Sequence, residues 1–199
     1  MKILCYGDSN TYGYDPASFF GGRYGPDSRW CDLLAAGTGL EVINRGENGR
    51  SIPCRSWHLE DLEQDILRDS PLGLLIIMLG TNDILNDCTQ QPEQITERME
   101  KLLDFVAGRF PELPVLLLSP PPVRLPVPEP VRTSERLGKS FEDLARRKGV
   151  LFCDTALWNP ELSADGVHLS PNGHRTFAEK LSSYLRESGI LPPAGSPRD

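Results

Sequence analysis

The sequence predicts an α/β protein, a three-layer α/β/α sandwich around a flavodoxin-like parallel sheet of about five strands. Apolar runs of strand length recur at residues 2–6, 41–44, 74–79, 115–118 and 150–153. Several are apolar at successive positions, as expected of parallel strands covered by helices on both faces. Amphipathic helical patterns fill the intervals, and a strand–helix alternation of this kind assembles most simply in the strand order 2-1-3-4-5.

Taken in order, residues 2–6 form the first strand and lead into Gly7-Asp8-Ser9-Asn10. A weaker helical pattern covers residues 30–36, ahead of the second strand. A helix over 57–69 places Leu59, Leu62, Ile66 and Leu67 on one stripe. After the third strand, a helix over 92–110 aligns Ile95, Met99, Leu102, Leu103 and Val106, with Glu93, Glu97, Glu100 and Lys101 elsewhere on its surface. The Pro-rich stretch 119–130 reads as a stiff loop after the fourth strand, followed by a helix over 131–148. The last helix starts at Ser170 as N-cap with Pro171 in the first helical position, and runs towards Arg186. Residues 1–187 are expected to form a single domain and 188–199 a Pro- and Gly-containing tail.

Composition narrows the function. A chain of 199 residues suffices for one domain with a sizeable core. Its formal net charge of −7 gives no electrostatic attraction to nucleic acid or anionic lipid. The one compact basic run, Arg146-Arg147-Lys148, falls at a helix end where cations suit the dipole. Too few apolar residues precede Gly7 for a signal peptide, and the longest apolar stretch is far below the roughly 18 residues of a membrane span. A soluble, cytoplasmic protein without a membrane partner is expected. Cys5, Cys31, Cys54, Cys88 and Cys153 are odd in number and lack C-x-x-C spacing, which disfavours a disulfide framework or a zinc cage. Cys5 and Cys153 fall in strands and read as buried thiols. No cofactor or metal is implied.

The chemistry lies in four short blocks: Gly7-Asp8-Ser9-Asn10, Asn44-Arg45-Gly46-Glu47-Asn48-Gly49, Gly80-Thr81-Asn82-Asp83 and Asp165-Gly166-Val167-His168. In a parallel sheet the segments that follow the strands gather at one edge, so the topology itself assembles these distant residues. Ser9 is a candidate nucleophile. His168 is its candidate base, because an imidazole can take the serine proton and return it to a leaving alcohol. Asp165, three residues earlier, can orient the imidazole across a tight turn. The Ser9 and Gly49 N–H groups and the Asn82 amide are candidate oxyanion donors.

Each block also has a plainer reading. Asp-Ser-Asn is ordinary helix-cap chemistry, Asp165-Gly166 an ordinary turn, and Gly49 a loop glycine. Asn82 and Asp83 could cap the following helix, with Asp83 as the cap while Asn82 points inward. The other histidines, His58 and His174, read as surface or packing residues. The aromatic segment 12–30 could wall a pocket for a small acyl or aryl ester, or serve as a surface loop or oligomer contact, and Trp158 is a further candidate wall.

With these blocks in this order, the sequence resembles the SGNH (GDSL) hydrolase family from Ile3 to about Leu185. The resemblance implies that Gly49, closing N-x-x-x-x-G, is the second-block donor rather than Gly46. Residues 76–80 and Ser119-Pro120-Pro121-Pro122 are similar to the intracellular arylesterase and acyltransferase branch, whose members are often homo-oligomers. One position departs from the signature: Asn10 stands where GDSL has leucine, which leaves the chemistry intact but weakens any inference to a lipase.

The expected activity is hydrolysis of short-chain carboxylic esters through an acyl-Ser9 intermediate. Acyl transfer to an alcohol uses the same residues, and a non-catalytic small-ligand binding protein would use the same cleft without turnover. Asp8 after the first strand also invites comparison with aspartyl phosphatases, but Asn10 and Tyr12 break their D-x-D-x-T/V pattern. The phosphate-cradling motifs G-x-x-x-x-G-K-[ST] and G-x-G-x-x-G do not occur.

Overall fold

A computed structural model describes residues 1–191 of the chain. Five parallel strands, β1 (Lys2–Gly7), β2 (Glu41–Gly46), β3 (Leu74–Met78), β4 (Val115–Leu118) and β5 (Leu151–Cys153), form one sheet in the order β2-β1-β3-β4-β5. The expected three-layer sandwich and strand order are therefore present.

The sheet divides its side chains with period two between two cores. Leu4, Tyr6, Leu75, Ile77 and Leu117 face one side, where they meet α3 (Ser56–Asp69), α5 (Pro92–Arg109) and α6 (Pro128–Lys148). Ile3, Cys5, Leu74, Ile76, Met78, Leu116 and Leu118 face the other, against α2 (Trp30–Thr38) and α7 (Pro171–Glu187). Trp30, Phe141 and Phe177 are the largest side chains sealed in these layers.

Several boundaries differ from those predicted. The fourth-strand loop is shorter, because α6 begins at Pro128 and not at residue 131. A proline at the first helical position gives up an N–H that has no helical partner in any case. Two short helices follow β1 and β3 directly, α1 (Ser9–Tyr12) and α4 (Thr81–Asn86), and a single 3₁₀ turn spans Thr155–Trp158. The segment after α7 does not leave the body at once: Leu191 is buried and its N–H donates to the Leu185 carbonyl at 2.8 Å. The rest of the predicted tail lies outside the described residues.

Cys5, Cys31 and Cys153 are buried thiols, while Cys54 and Cys88 are exposed. Among the described residues no helix is long and apolar enough to cross a membrane.

Candidate active site

The carboxyl ends of β1, β2 and β3 are packed so closely that only glycine fits at two of them. A Cβ on Gly7 would stand 2.1 Å from Thr11 Oγ1, and one on Gly46 would stand 2.1 Å from the Tyr12 N–H nitrogen. This lets α1 rest directly on the sheet edge. Asp8 is its N-cap, accepting from the Asn10 N–H at 2.9 Å, and Ser9 is the first helical residue. Asn44 fastens the same turn to β2, donating to the Thr11 carbonyl at 2.7 Å and accepting from the Gly46 N–H at 2.9 Å.

His168 arrives from the loop between β5 and α7. Its Nε2 lies 3.0 Å from Ser9 Oγ although 159 residues separate the two in sequence. Its Nδ1 lies 2.6 Å from Asp165 Oδ2. The other oxygen of Asp165 accepts from the Val167 and His168 N–H groups at 3.0 and 3.1 Å. Partial burial works to raise the Asp165 pKa, but these bonds from the ring and backbone outweigh it and hold the carboxyl below its ordinary value. An ionised carboxylate can only accept, so it fixes the proton on Nδ1 and leaves the Nε2 lone pair facing the serine hydroxyl. The Tyr14 ring covers His168 at 4.7 Å.

Beside the Ser9 N–H, two further candidate oxyanion donors come from beyond the ends of β2 and β3. Gly49 has φ +78°, a backbone conformation suited to glycine, and space is open where its side chain would be. Asn82 sits in the first turn of α4, and its Nδ2 donates one hydrogen to the Arg50 carbonyl at 3.0 Å. An amide nitrogen carries two hydrogens, so the second remains for a ligand. Arg50 organises this wall from beneath: its guanidinium donates to the Gly7 and Arg45 carbonyls and to Glu47, and lies over the Tyr6 ring. Beyond Gly49 opens a cavity of about 680 Å³, with Arg50, Arg55, His58, Asp61, Asp83 and Arg98 among its lining residues.

Ser9, His168, Asp165, Gly49 and Asn82 thus gather at one sheet edge, while other expected placements need correction. Asp83 does not cap α4. Gly80 occupies the cap position with φ +128°, and the Asp83 carboxylate turns to the Ile52 N–H and Arg98 instead. Trp158 is partly buried, and its ring packs edge-on against Phe177 at 4.9 Å at the margin of the core beneath α7. Within the aromatic segment only Tyr14 meets His168; Phe19 and Phe20 are 93% and 92% exposed, and Trp30 is fully buried.

His58 is exposed at the cavity. His174 is buried, with Nδ1 accepting from the Trp30 N–H at 3.3 Å. Burial, aided by the charges of His168 and Arg29, pushes its pKa down to about 3. Burial pushes Asp8 up to about 6, against the Asn10 N–H bond and the nearby His168.

The chain is similar to known proteins over most of its length. Residues 5–176 match the GDSL-like lipase/acylhydrolase family. A GDSL lipase of Mycobacterium tuberculosis is 29% identical over 193 residues, covering 92% of this chain and 80% of its own. A native aryl esterase of M. smegmatis superposes with a TM-score of 0.79 at 29% identity, covering 94% of this chain and 98% of that one. A carbohydrate acetylesterase family member from Sinorhizobium meliloti superposes with a TM-score of 0.84 at 27% identity, covering 96% and 100%. With the match spanning most of its length and esterases among its structural neighbours, this chain belongs to the GDSL-like lipase/acylhydrolase family and is a carboxylic ester hydrolase.

Proposed function

We propose that the chain hydrolyses short-chain carboxylic esters through an acyl-Ser9 intermediate. The observation that carries this reading is the continuous path from Asp165 through His168 to Ser9 Oγ, with contacts of 2.6 and 3.0 Å. As Oγ attacks the ester carbonyl carbon, His168 Nε2 takes its proton. The carbonyl oxygen becomes an oxyanion facing the N–H groups of Ser9 and Gly49 and the free hydrogen of Asn82. Collapse of this tetrahedral species breaks the bond to the alcohol, which leaves with the proton from His168. Water then attacks the acyl carbonyl, giving its proton to Nε2, and collapse breaks the bond to Ser9 Oγ, which takes that proton back from His168 as the acid departs.

The adjoining cavity is lined by Tyr6, Ile52, Pro53 and Trp57 as well as by guanidinium and carboxylate groups, and those charged groups support small or polar substrates over long acyl chains. Hydrolysis is tested with p-nitrophenyl acetate and octanoate. Wild type should turn over acetate faster than octanoate, and Ser9→Ala should lose both activities and its labelling by a fluorophosphonate. Equal rates in wild type and Ser9→Ala would refute the assignment of the nucleophile. An alcohol could replace water at the second step, and the ratio of ester to acid formed in water–alcohol mixtures measures that competition.

A further inference from the structure

Asn10, the one departure from the GDSL signature, is 2% exposed and has all four of its polar groups engaged. Its N–H donates to Asp8 Oδ1 at 2.9 Å, and its carbonyl accepts from the Trp30 indole at 3.1 Å. Its side chain reaches across to the other end of the chain. Nδ2 donates to the Val167 carbonyl at 3.1 Å and Oδ1 accepts from the Leu169 N–H at 2.8 Å. The two bonds bracket His168, one on each side.

The loop that carries His168 otherwise closes largely on itself, with the Gly166 carbonyl also accepting from the Arg124 N–H at 2.7 Å. Ser163 N–H donates to the His168 carbonyl at 2.7 Å, Gly166 N–H to Ser163 at 3.0 Å, and Ser170 N–H to Glu161 at 3.0 Å. Asp165 also bonds within this loop. Those bonds shape the turn without fixing its distance from Ser9. Asn10 supplies that reference, since it follows Ser9 in the same short helix and is itself immobilised at both backbone groups.

Building on the assignment of Ser9 and His168 above, we propose that Asn10 is a positioning residue that sets the Ser9–His168 separation by clamping the backbone on both sides of His168. The clamp needs a donor towards residue 167 and an acceptor towards residue 169. A primary amide presents both from one planar group, whereas leucine presents neither and an ionised aspartate only the acceptor. Proton transfer is steep in distance, and a misplacement of about 1 Å can cost about a hundredfold in rate.

The test compares wild type, Asn10→Leu, Asn10→Asp and Ser9→Ala on p-nitrophenyl acetate, with rates referred to the folded fraction measured by circular dichroism. Asn10→Leu should lower kcat by about ten- to a hundredfold with KM within about twofold, slow fluorophosphonate labelling in parallel, and speed amide exchange at Leu169. Asn10→Asp retains the acceptor, so it should keep Leu169 protected and fall between the two in kcat. Folded Asn10→Leu with wild-type kcat and an unchanged pH–rate profile would overturn the clamp. If Asn10→Leu does not fold, Asn10→Asp decides, and a wild-type kcat there overturns it as well. Activity surviving in Ser9→Ala refutes the nucleophile, whereas an inactive Ser9→Ala beside a fully active Asn10→Leu refutes the clamp alone.

Discussion

Arg98 donates to Asp83 Oδ1 at 2.8 Å, while Asp83 Oδ2 accepts from the Ile52 N–H at 2.9 Å, so one buried carboxylate joins α4, α5 and the loop after β2. Burial raises the Asp83 pKa in spite of these favourable partners, which marks the carboxylate as poorly hydrated. Two of the three candidate oxyanion donors ride on the elements it joins: Asn82 precedes it in α4, and Gly49 lies in the loop that Ile52 anchors. Asp83→Ala should strand a guanidinium and a buried N–H, with a stability loss of about 3 kcal/mol. Asp83→Asn can still accept from Ile52 and should lose less. Denaturant midpoints give the ordering, and kcat should fall in step with it; an unaltered midpoint in Asp83→Ala would contradict the account.

Asn82 is held through one amide hydrogen by the Arg50 carbonyl, which presents the other at a fixed angle before any substrate arrives. Charge on the carbonyl oxygen grows only as Ser9 attacks, so the bond strengthens in the transition state more than in the ground state. Asn82→Ala should therefore lower kcat by about a hundred- to a thousandfold while KM changes little. Steady-state kinetics on p-nitrophenyl acetate separate the two parameters. A large rise in KM at constant kcat would assign Asn82 to substrate binding instead.

Much of the arrangement was legible because parallel topology turns sequence order into spatial position. Once residues 2–6, 41–44 and 74–79 read as strands with cover on both faces, Ser9, Gly49 and Asn82 had to emerge at one edge. The helix bearing Leu59, Leu62 and Ile66 was equally plain from its period. What escaped depended on partners distant in sequence. Asn10 looks like any helix-cap neighbour until residues 167 and 169 meet it, and its one outward sign was the departure from leucine. Asp83 fits a capping pattern, but the backbone enters α4 through Gly80, and a stronger set of partners draws the carboxylate away. Trp158 is near Asp165 in sequence, yet its partly buried ring packs against Phe177 at the edge of the core.

Gly166 should prove intolerant for two separable reasons. Its φ is +70°, and a Cβ there would stand 2.0 Å from the Arg124 carbonyl oxygen, in the same place where the Arg124 N–H donates to the Gly166 carbonyl at 2.7 Å. Gly149, at the end of α6, has φ +67° but nothing within 4 Å of its missing side chain. Gly149→Ala should therefore cost only the backbone strain, about 1 kcal/mol, and leave kcat unchanged. Gly166→Ala adds a clash with main chain that must shift the turn between Asp165 and His168, so both its thermal midpoint and its kcat should fall further. Similar behaviour of the two variants would show that the turn yields without moving His168.

The buried imidazole of His174 should govern part of the acid sensitivity of the fold. Its folded pKa of about 3 lies below the ordinary histidine value of 6.5, so the unfolded chain binds the extra proton across that interval. The stabilisation from keeping the ring neutral is complete above pH 6.5 and is lost progressively as pH falls towards 3. Between pH 7 and pH 5 the loss amounts to about 2 kcal/mol. Asp8 acts in the opposite sense, since its pKa raised to about 6 gives the folded state a proton early and returns stability over part of the same range. His174→Asn preserves an acceptor for the Trp30 N–H and removes the titration while leaving Asp8 in place. Subtracting its pH–stability curve from that of wild type isolates His174, and the difference should widen as the solution is acidified below pH 6.5. Parallel curves from pH 7 to pH 4 would mean that water or a neighbouring group solvates the charged ring in the folded protein.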